Sequence, residues 1–519
     1  MKVKAIRAGL ACAGVAALLL VGGATPAVAT VATPIARPGS AGSAQPGQLV
    51  FSEDFSNGLT TPMPVQTDSG LTGYTGTTGE TYSADSGYLP SYGGCNGWVL
   101  NASMATSMAA SGVPSDAGCG TSGGRDPAGG SNPSGTAWWW LGQMAIALGE
   151  AQGMDATAAA GNAVLSSETN HANQTQPAGL QFATNLAVAT PAATAIPGHY
   201  YEASIWVAAA HCTTDPSPSA AWQDPSQQLD LLAGTDIVDS VSGINICNAA
   251  ATYTTSGGTP IHTMQIAVAP FQVNNAGALS MQVSDITASG NGNDVALDTP
   301  QIWDVTPQLD KAFSPTTITA GETSTLTLTI TNTYGSDGAT LQAKPDMSFT
   351  DTLPSNLTVA ATQPTDPGTC VTDTGDNQMT VTAVPGSGSV SVSGDLGAVA
   401  SCTINVNVTS DVAGSYVNGP DQGSFGDAAD GGYSGLTGLW APSDATLTVN
   451  AAPVPTTTSS TATPPTATQS QSPVAPPAGP AAATGGSLTG SMVLWPMLAL
   501  IVIGAAAWLA NWRRKLATV

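Results

Sequence analysis

Residues 491–510 form an uncharged and mostly apolar run near the end of the chain, and Arg513, Arg514 and Lys515 follow it closely. An α-helix needs about 20 apolar residues to cross the hydrocarbon core of a bilayer, and a basic flank stays on the cytoplasmic side. We therefore expect one membrane-spanning helix at 491–510 and a cytoplasmic basic tail at 511–519. This segment constrains the chain most, because everything before it is then displayed outside the cell.

The other end of the chain has the composition of a secretory signal. Basic residues precede an apolar run from Gly9 to Val21, and the small residues at 27–29 suit a signal peptidase. We predict a signal peptide at 1–29 and a mature chain that starts at Thr30. The protein is therefore expected on the extracellular side of the cell envelope.

The part of the chain between the predicted signal peptide and the apolar run carries a strong excess of negative charge. All 34 Asp and Glu lie there, together with four of the ten Lys and Arg. Such a surface repels phosphate backbones, so nucleic acid is not an expected partner. The acidic excess has two interpretations that the sequence leaves open: a soluble, acid-tolerant exterior, or carboxylates gathered into calcium sites.

Six cysteines remain after removal of the leader, in an oxidising compartment where paired thiols are expected. Among the fifteen possible arrangements, the simplest joins neighbours in the sequence. This arrangement predicts the disulfides Cys95–Cys119, Cys212–Cys247 and Cys370–Cys402. The four histidines show no short metal-ligand spacing and are interpreted as surface or polar-core residues; they are His171, His199, His211 and His262.

Residues 49–306 alternate short apolar runs with Gly, Ser, Asn, Asp and Pro, without a strong helical period. This pattern predicts an all-β sandwich or jelly roll. Strand-like runs begin at Leu49, Gly97, Gly179, Tyr200, Gln228, His262, Ala278 and Asp294. The stretch 137–153 fits either a helix or a buried strand pair. In a strand, Trp138 and Trp140 would be buried together and Trp139 would point outward.

Four motifs in this segment point to a known family: 52–55 (SEDF), 95–101 (CNGWVLN), 197–201 (PGHYY) and 292–298 (GNDVALD). They resemble actinobacterial surface domains with a galactose-binding-like jelly roll. The resemblance implies carbohydrate binding and a structural calcium ion between the first and last strands. The matching carboxylates are Glu53, Asp54, Asp294 and Asp298. Thr299 stands where the family usually has a second acidic residue.

Residues 307–450 predict a second β domain. Residues 324–332 alternate with period two, and turns recur every 8 to 15 residues, which is typical of an immunoglobulin-like sandwich. The motifs at 313–315 (FSP), 321–324 (GETS), 349–354 (FTDTLP) and 401–402 (SC) resemble a conserved surface repeat of wall proteins, a DUF11-like domain. The resemblance implies an architecture and says nothing about a ligand.

Two segments lack the composition of a core. Residues 30–48 predict a flexible lead-in, and the Pro/Thr/Ser-rich residues 451–490 predict an extended stalk. Thr484 and Gly485, followed by the apolar run and the basic tail, resemble a degenerate sortase sorting signal, which implies sortase as a partner. Covalent attachment to the cell wall and retention in the membrane by 491–510 both stay open.

No catalytic motif of the common hydrolases or nucleotide-binding enzymes is present, and we assign no catalytic residue. Acids such as Glu53, Glu150, Glu168 and Glu202 could pair as in a glycosidase, but nothing positions them. The prediction is a non-enzymatic, surface-displayed binding or adhesion protein that recognises carbohydrate through its jelly roll. The alternatives are a structural wall-layer protein without a specific ligand and, third, a secreted-side hydrolase.

Overall fold

The computed structural model describes residues 39–92, 95–104, 137–167, 177–185, 194–216, 218, 222–288, 293–373, 378–420 and 435–454. The leader, the sorting-like residues Thr484 and Gly485, the apolar run 491–510 and the basic tail lie outside these residues, so what the sequence predicts for them stays a prediction. Within the described part, no helix is both long and apolar enough to cross a membrane.

The first domain contains two facing β-sheets with an apolar core between them. The strands of the smaller sheet run in the order β11-β10-β15-β7-β4, with β8 on β15. Those of the larger sheet run in the order β12-β13-β9-β16-β6-β5-β3, with β14 on β9 and β2 on β16. The bounds are β2 Gln48–Ser52, β3 Met63–Pro64, β4 Tyr82–Ser83, β5 Trp98–Asn101, β6 Ala163–Ser167, β7 Gly179–Thr184, β8 Thr194–Ala195, β9 His199–Ala210, β10 Ser226–Ala233, β11 Asp236–Asn245, β12 Ala251–Thr254, β13 Pro260–Ala267, β14 Phe271–Val273, β15 Gly277–Asp285 and β16 Asp294–Asp304.

A helix covers the outer face of the larger sheet. The ambiguous stretch forms helix α1, Ala137–Ala151, followed by the short α2, Ala156–Ala159. Buried residues recur along α1 with helical spacing, and they pack on small side chains of the sheet such as Ala208, Ala210 and Ala296. The strand alternative is therefore wrong here: Trp140 is buried because it lies on the inner helical face, and Trp139 is half-buried.

The second domain is a β-sandwich around one continuous apolar core. Its sheets have the orders β17-β19-β25-β22, β18-β28-β26 and β23-β24-β21-β27. The bounds are β17 Gln308–Ser314, β18 Thr317–Thr319, β19 Thr323–Thr331, β20 Thr333–Tyr334, β21 Lys344–Thr352, β22 Thr358–Val359, α3 Thr369–Thr372, β23 Met379–Thr382, β24 Ser389–Leu396, β25 Ser401–Thr409, β26 Gly414–Asn418, β27 Leu436–Thr437 and β28 Ala445–Asn450. Strand β19 has the predicted alternation, with its three apolar side chains buried.

The two domains pack directly on one another where β9 begins and β16 ends. We call this contact the joint. Tyr200 of β9 and Val305, the residue after β16, lie in the apolar core of the second domain. The buried Glu202 carboxylate accepts hydrogen bonds from the backbone N–H of Ser336 at 2.9 Å and from its hydroxyl at 2.5 Å. Since apolar packing and hydrogen bonds both cross the joint, the two domains form one unit.

Part of the predicted flexible lead-in is packed against the second domain. Gln45–Pro46 form strand β1, which pairs in parallel with β20. Nearby, the N–H of Gly42 donates to Thr331 Oγ1 at 2.8 Å. These backbone hydrogen bonds give residues 39–48 a fixed path that their small, unpatterned side chains did not indicate.

Two disulfides of the predicted set are present. Cys212 is bonded to Cys247 in the first domain, and Cys370 to Cys402 in the second. Cys95 is also disulfide-bonded, but Cys119 lies outside the described residues, so the pairing predicted for it is not addressed. The first bond links the loop after β9 to the short 3-10 helix after β11, and the second links helix α3 to β25.

Candidate functional site

A histidine–aspartate pair lies at each end of the paired strands β9 and β16. At the joint, His199 Nδ1 is 2.7 Å from Asp304 Oδ2, and at the opposite end His211 Nδ1 is 2.7 Å from Asp294 Oδ2. Strand β9 has 12 residues, so the two pairs are about 40 Å apart. We call His211, Asp294 and the indole rings of Trp140 and Trp222, which contact His211, the distal cluster.

Local backbone geometry turns His211 towards the helix. The residue has φ of 59°, in the left-handed region that few non-glycine residues occupy. Its ring contacts Trp140 of α1, with centroids 4.5 Å apart, and Trp222, with centroids 4.9 Å apart. Trp140 is fully buried and Trp222 is half-buried, so the solvent side of the distal cluster is the side of Trp222.

The loop that carries Trp222 is held from both sides. The Cys212–Cys247 disulfide fixes its start. Asp224, just after the indole, accepts hydrogen bonds from the Thr213 N–H at 2.7 Å and from Asn245 Nδ2 at 3.0 Å. These backbone and side-chain hydrogen bonds lower the pKa of Asp224 despite its partial burial. The position of Trp222 therefore depends on the scaffold around it.

His211 Nε2 is buried and has no hydrogen-bond partner in the described part of the chain. A buried polar atom without a partner costs about 1–3 kcal/mol, so such an atom points to a ligand or a solvent molecule. With its proton on Nδ1, the imidazole offers Nε2 as an acceptor, and when it carries both protons it offers a donor. A hydroxyl group can meet either requirement.

A third pair, His262 and Asp215, differs because both imidazole nitrogens face acceptors. Nδ1 is 2.7 Å from the carbonyl oxygen of Ala249, and Nε2 is 3.3 Å from Asp215 Oδ1. The hydrogen bond with Asp215 raises the pKa of His262, and burial opposes it. The potential metal-ligand groups found in the described residues both include Cys212, whose sulfur is in a disulfide and so is not a thiolate.

Glu53 and Asp54, which the sequence matched to a calcium site, follow β2 and turn to different environments. Glu53 is buried and accepts hydrogen bonds from the Phe55 N–H at 2.7 Å, from Tyr74 Oη at 3.0 Å and from the Tyr82 hydroxyl. Burial raises its pKa, and these hydrogen bonds lower it. Asp54 is exposed and caps the local turn.

Asp294 and Asp298, the other two predicted ligands, both face α1 but do not meet. They are four residues apart on one strand, or about 13 Å, whereas oxygen ligands lie 2.3–2.6 Å from a shared calcium ion. Asp294 pairs with His211, while Asp298 Oδ2 accepts from Gln152 Nε2 at 2.7 Å and from Asn162 Nδ2 at 2.8 Å.

The structure therefore does not bring the four predicted carboxylates into one cluster. Glu53 packs with the aromatic residues between the two sheets, on the opposite face of the larger sheet from Asp298, and Asp54 is in solvent. Each of the four carboxylates has hydrogen-bond partners of its own instead. Calcium binding stays a prediction.

Sequence reasoning identified Asp294 but not the residues around it. His211, Trp140 and Trp222 come from three separate parts of the chain and share no local motif. The available signal was indirect: the motif at 292–298 contains Asp294, and a histidine directly precedes Cys212. Only the strand register, in which Asp294 is opposite Ala210, brings these residues together.

Comparison with known proteins gives a family for the second domain. Two similar solved structures are a Stig cyclase, Fisc, from Fischerella sp. TAU (14% identity, 27% of this chain, 72% of that chain, TM-score 0.15) and the N-terminal domain of the Streptococcus gordonii adhesin Sgo0707 (10%, 46%, 55%, 0.23). These TM-scores are too low to establish a shared fold. No curated protein matches the chain. Residues 307–449 match the family described as Domain of unknown function (DUF7933), whereas the sequence resemblance pointed to a DUF11-like repeat.

Proposed function

We propose that this protein is a surface-displayed binding or adhesion protein whose first domain recognises a neutral, hydroxyl-rich ligand, such as a glycan, at the distal cluster. One observation carries the proposal: the buried, unpartnered His211 Nε2 between two indole rings, at the end of the domain opposite the joint. Ligand sites commonly combine aromatic walls with a few placed polar groups.

Charge favours a neutral ligand over an anionic one. The described residues of the first domain include no Lys or Arg, so they offer no cation to neutralise a phosphate or a sulfate. Asp294 lies beside the imidazole and would repel such groups. Hydroxyl groups carry no charge and can donate to or accept from Nε2.

The rest of the proposal concerns display. In it, the signal peptide exports the chain, the second domain holds the first at the joint, and the stalk 451–490 carries both away from the membrane. Anchoring is by the helix 491–510 or by sortase-catalysed attachment through Thr484. The proposed role is binding without turnover.

The test is a glycan array probed with the purified full-length protein and with Trp222→Ala. We expect the wild-type chain to bind a restricted set of neutral glycans, and Trp222→Ala to weaken that binding at least ~10-fold. Trp303→Ala is the matched control, because Trp303 is also half-buried but lies at the joint. A folded wild-type protein that binds no glycan would contradict the proposal and favour a structural wall protein.

A further inference from the structure

Three polar side chains occupy inward-facing positions in the apolar core of the second domain. Lys311 lies on β17 between the buried Leu309 and Phe313, and Asp351 continues the inward row of β21. Asn418 lies on β26, two residues after the buried Tyr416. The side chains of Lys311 and Asp351 have no exposed area, and Asn418 is fully buried. Buried polar groups at core positions are costly and require a reason.

One carboxyl group touches both of the other side chains. Asp351 Oδ1 is 3.2 Å from Lys311 Nζ, and Asp351 Oδ2 accepts a hydrogen bond from Asn418 Nδ2 at 2.9 Å. The amine and the carboxamide are therefore held side by side across the width of a carboxylate. Because the fold already holds the two groups in place, the reaction barrier does not include the entropy cost of bringing two reactants together.

We infer that Lys311 and Asn418 become joined by an intramolecular amide (isopeptide) bond, with Asp351 as the catalytic acid and base. In this step, the unprotonated Lys311 Nζ attacks Cγ of Asn418 and forms a new C–N bond. Asp351 takes a proton from Nζ and passes one to Asn418 Nδ2. The bond between Cγ and Nδ2 then breaks, and ammonia leaves. The reaction changes no oxidation state and needs no cofactor.

The environment favours the protonation states that this step needs. Burial lowers the pKa of Lys311, although the nearby Asp351 opposes that shift. Burial likewise raises the pKa of Asp351, against the effect of Lys311 and Asn418. A desolvated lysine is a better nucleophile because more of it is unprotonated, and a carboxyl group that can exist as the acid can donate a proton.

The second buried lysine of this domain is an internal control. Lys344 Nζ donates to Asn332 Oδ1 at 2.7 Å, and burial lowers the pKa of Lys344 to about 8. Asn332 Nδ2, however, donates to backbone carbonyl oxygens such as that of Val399, and no carboxyl group in the described residues bridges the two side chains. Both lysines are buried near an asparagine, but only in the Lys311 group does a carboxyl group of the described residues contact both side chains; Glu202 acts on Lys344 through its charge.

The bond would join strands of two different sheets. Strand β17 begins the domain, and β26 pairs with β28, which ends it. The link would close a loop of about 100 residues, and a cross-link of that span restricts the unfolded chain strongly. The second domain would then resist unfolding by heat or by pulling on its ends more than its size suggests.

The test is the intact mass of the full-length protein after export and reduction, followed by peptide mapping. We expect wild-type protein to be lighter than its sequence by one ammonia, and a digest to yield Lys311 and Asn418 in one branched peptide. Lys344 and Asn332 should appear unmodified in the same digest. Folded wild-type protein with the full sequence mass, and with Lys311 and Asn418 in separate linear peptides, would overturn the inference.

Two variants keep the test decisive. Asp351→Asn preserves the shape of the side chain but removes the acid, and we expect full sequence mass and a melting temperature lower by at least ~10 °C. A cross-link that still forms in Asp351→Asn would overturn the role of Asp351. Asn418→Ala removes the acceptor carbon, so a branched peptide that still contains Lys311 in that variant, with loss of one ammonia, would overturn the assignment of Asn418.

Discussion

The two ends of β9 and β16 have the same histidine–aspartate pair in different surroundings. At the joint, the His199 ring contacts Trp440 of the second domain, with centroids 4.3 Å apart. In the distal cluster, His211 contacts Trp140 and Trp222 of its own domain. Both imidazoles have a buried Nε2 without a partner in the described residues. A histidine–aspartate pair alone therefore does not define a ligand site. The aromatic rings that cover the pair, and the exposure of those rings to solvent, distinguish the two ends.

The largest expected difference between the two ends is in stability. Trp440 is 2% exposed, so Trp440→Ala removes a large buried side chain and should lower the free energy of unfolding by about 3–5 kcal/mol. Trp222 is half-buried, and Trp222→Ala should change it by less than about 1 kcal/mol. Urea denaturation followed by circular dichroism measures both. Equal losses would break the distinction between joint and distal cluster.

The next effect concerns Asp298, which lies between the two pairs under α1. Burial raises its pKa to about 6 from 3.8, and the hydrogen bonds from Asn162, Gln152 and Thr299 only partly oppose this. The folded state then holds the proton more tightly than the unfolded state, so this group lowers stability as pH rises from about 4 to 6, by about 2 kcal/mol.

Asp298→Asn tests that assignment, because the variant cannot ionise there. Between pH 4 and pH 7, the stability of the variant relative to the wild-type chain should rise by about 2 kcal/mol. The variant also loses acceptor oxygens, which shifts its stability by the same amount at both pH values. A difference between variant and wild type that does not change with pH would show that Asp298 ionises normally in the folded chain.

A smaller effect is expected at His262, the pair in which both nitrogens have acceptors. Its pKa is raised in the folded state, chiefly by the hydrogen bond with Asp215, so its stabilisation is fully present below pH 6.5 and is lost as pH rises through the folded value. The effect should be below about 1 kcal/mol. Nuclear magnetic resonance titration checks it: a His262 pKa at or below 6.5 would contradict the assignment.

The smallest expected effect is that of a chelator. Because Glu53, Asp54, Asp294 and Asp298 do not converge, excess chelator at matched ionic strength should leave the melting temperature unchanged. Asp298→Ala is the control variant. A melting temperature that falls with chelator in the wild-type chain, but not in this variant, would restore the calcium site that the sequence predicted.

The sequence carried most of the fold because strands and turns have local signals. The alternation in 324–332 and the apolar runs at 200–209 and 294–305 predict β19, β9 and β16 closely. Helix α1 stayed ambiguous, since a run rich in Trp, Leu and Ala fits a buried helix as well as buried strands. The sequence contains no pattern that predicts the packing of residues 39–48, because backbone hydrogen bonds, which do not depend on side-chain type, hold them.

The candidate sites were harder to predict for a different physical reason. His211, Asp294 and Trp222 meet because of the strand register and the left-handed backbone of His211. Neither feature can be predicted from the residue types alone. Lys311 and Asp351 had a readable signal: each is a charged residue at an inward position of an alternating strand. A charge on the apolar face of a predicted strand therefore deserves the same scrutiny as a motif.

Paired histidine variants test the central claim most directly. His211→Gln and His199→Gln make the same chemical change at the distal cluster and at the joint, and the affinity of each purified full-length variant for the glycan bound best by the wild-type chain is measured by titration calorimetry. We predict that His211→Gln weakens binding at least ~10-fold and that His199→Gln, once shown to be folded, binds as the wild type does. Unchanged affinity in His211→Gln, or equal losses in both variants, would contradict a ligand site at the distal cluster.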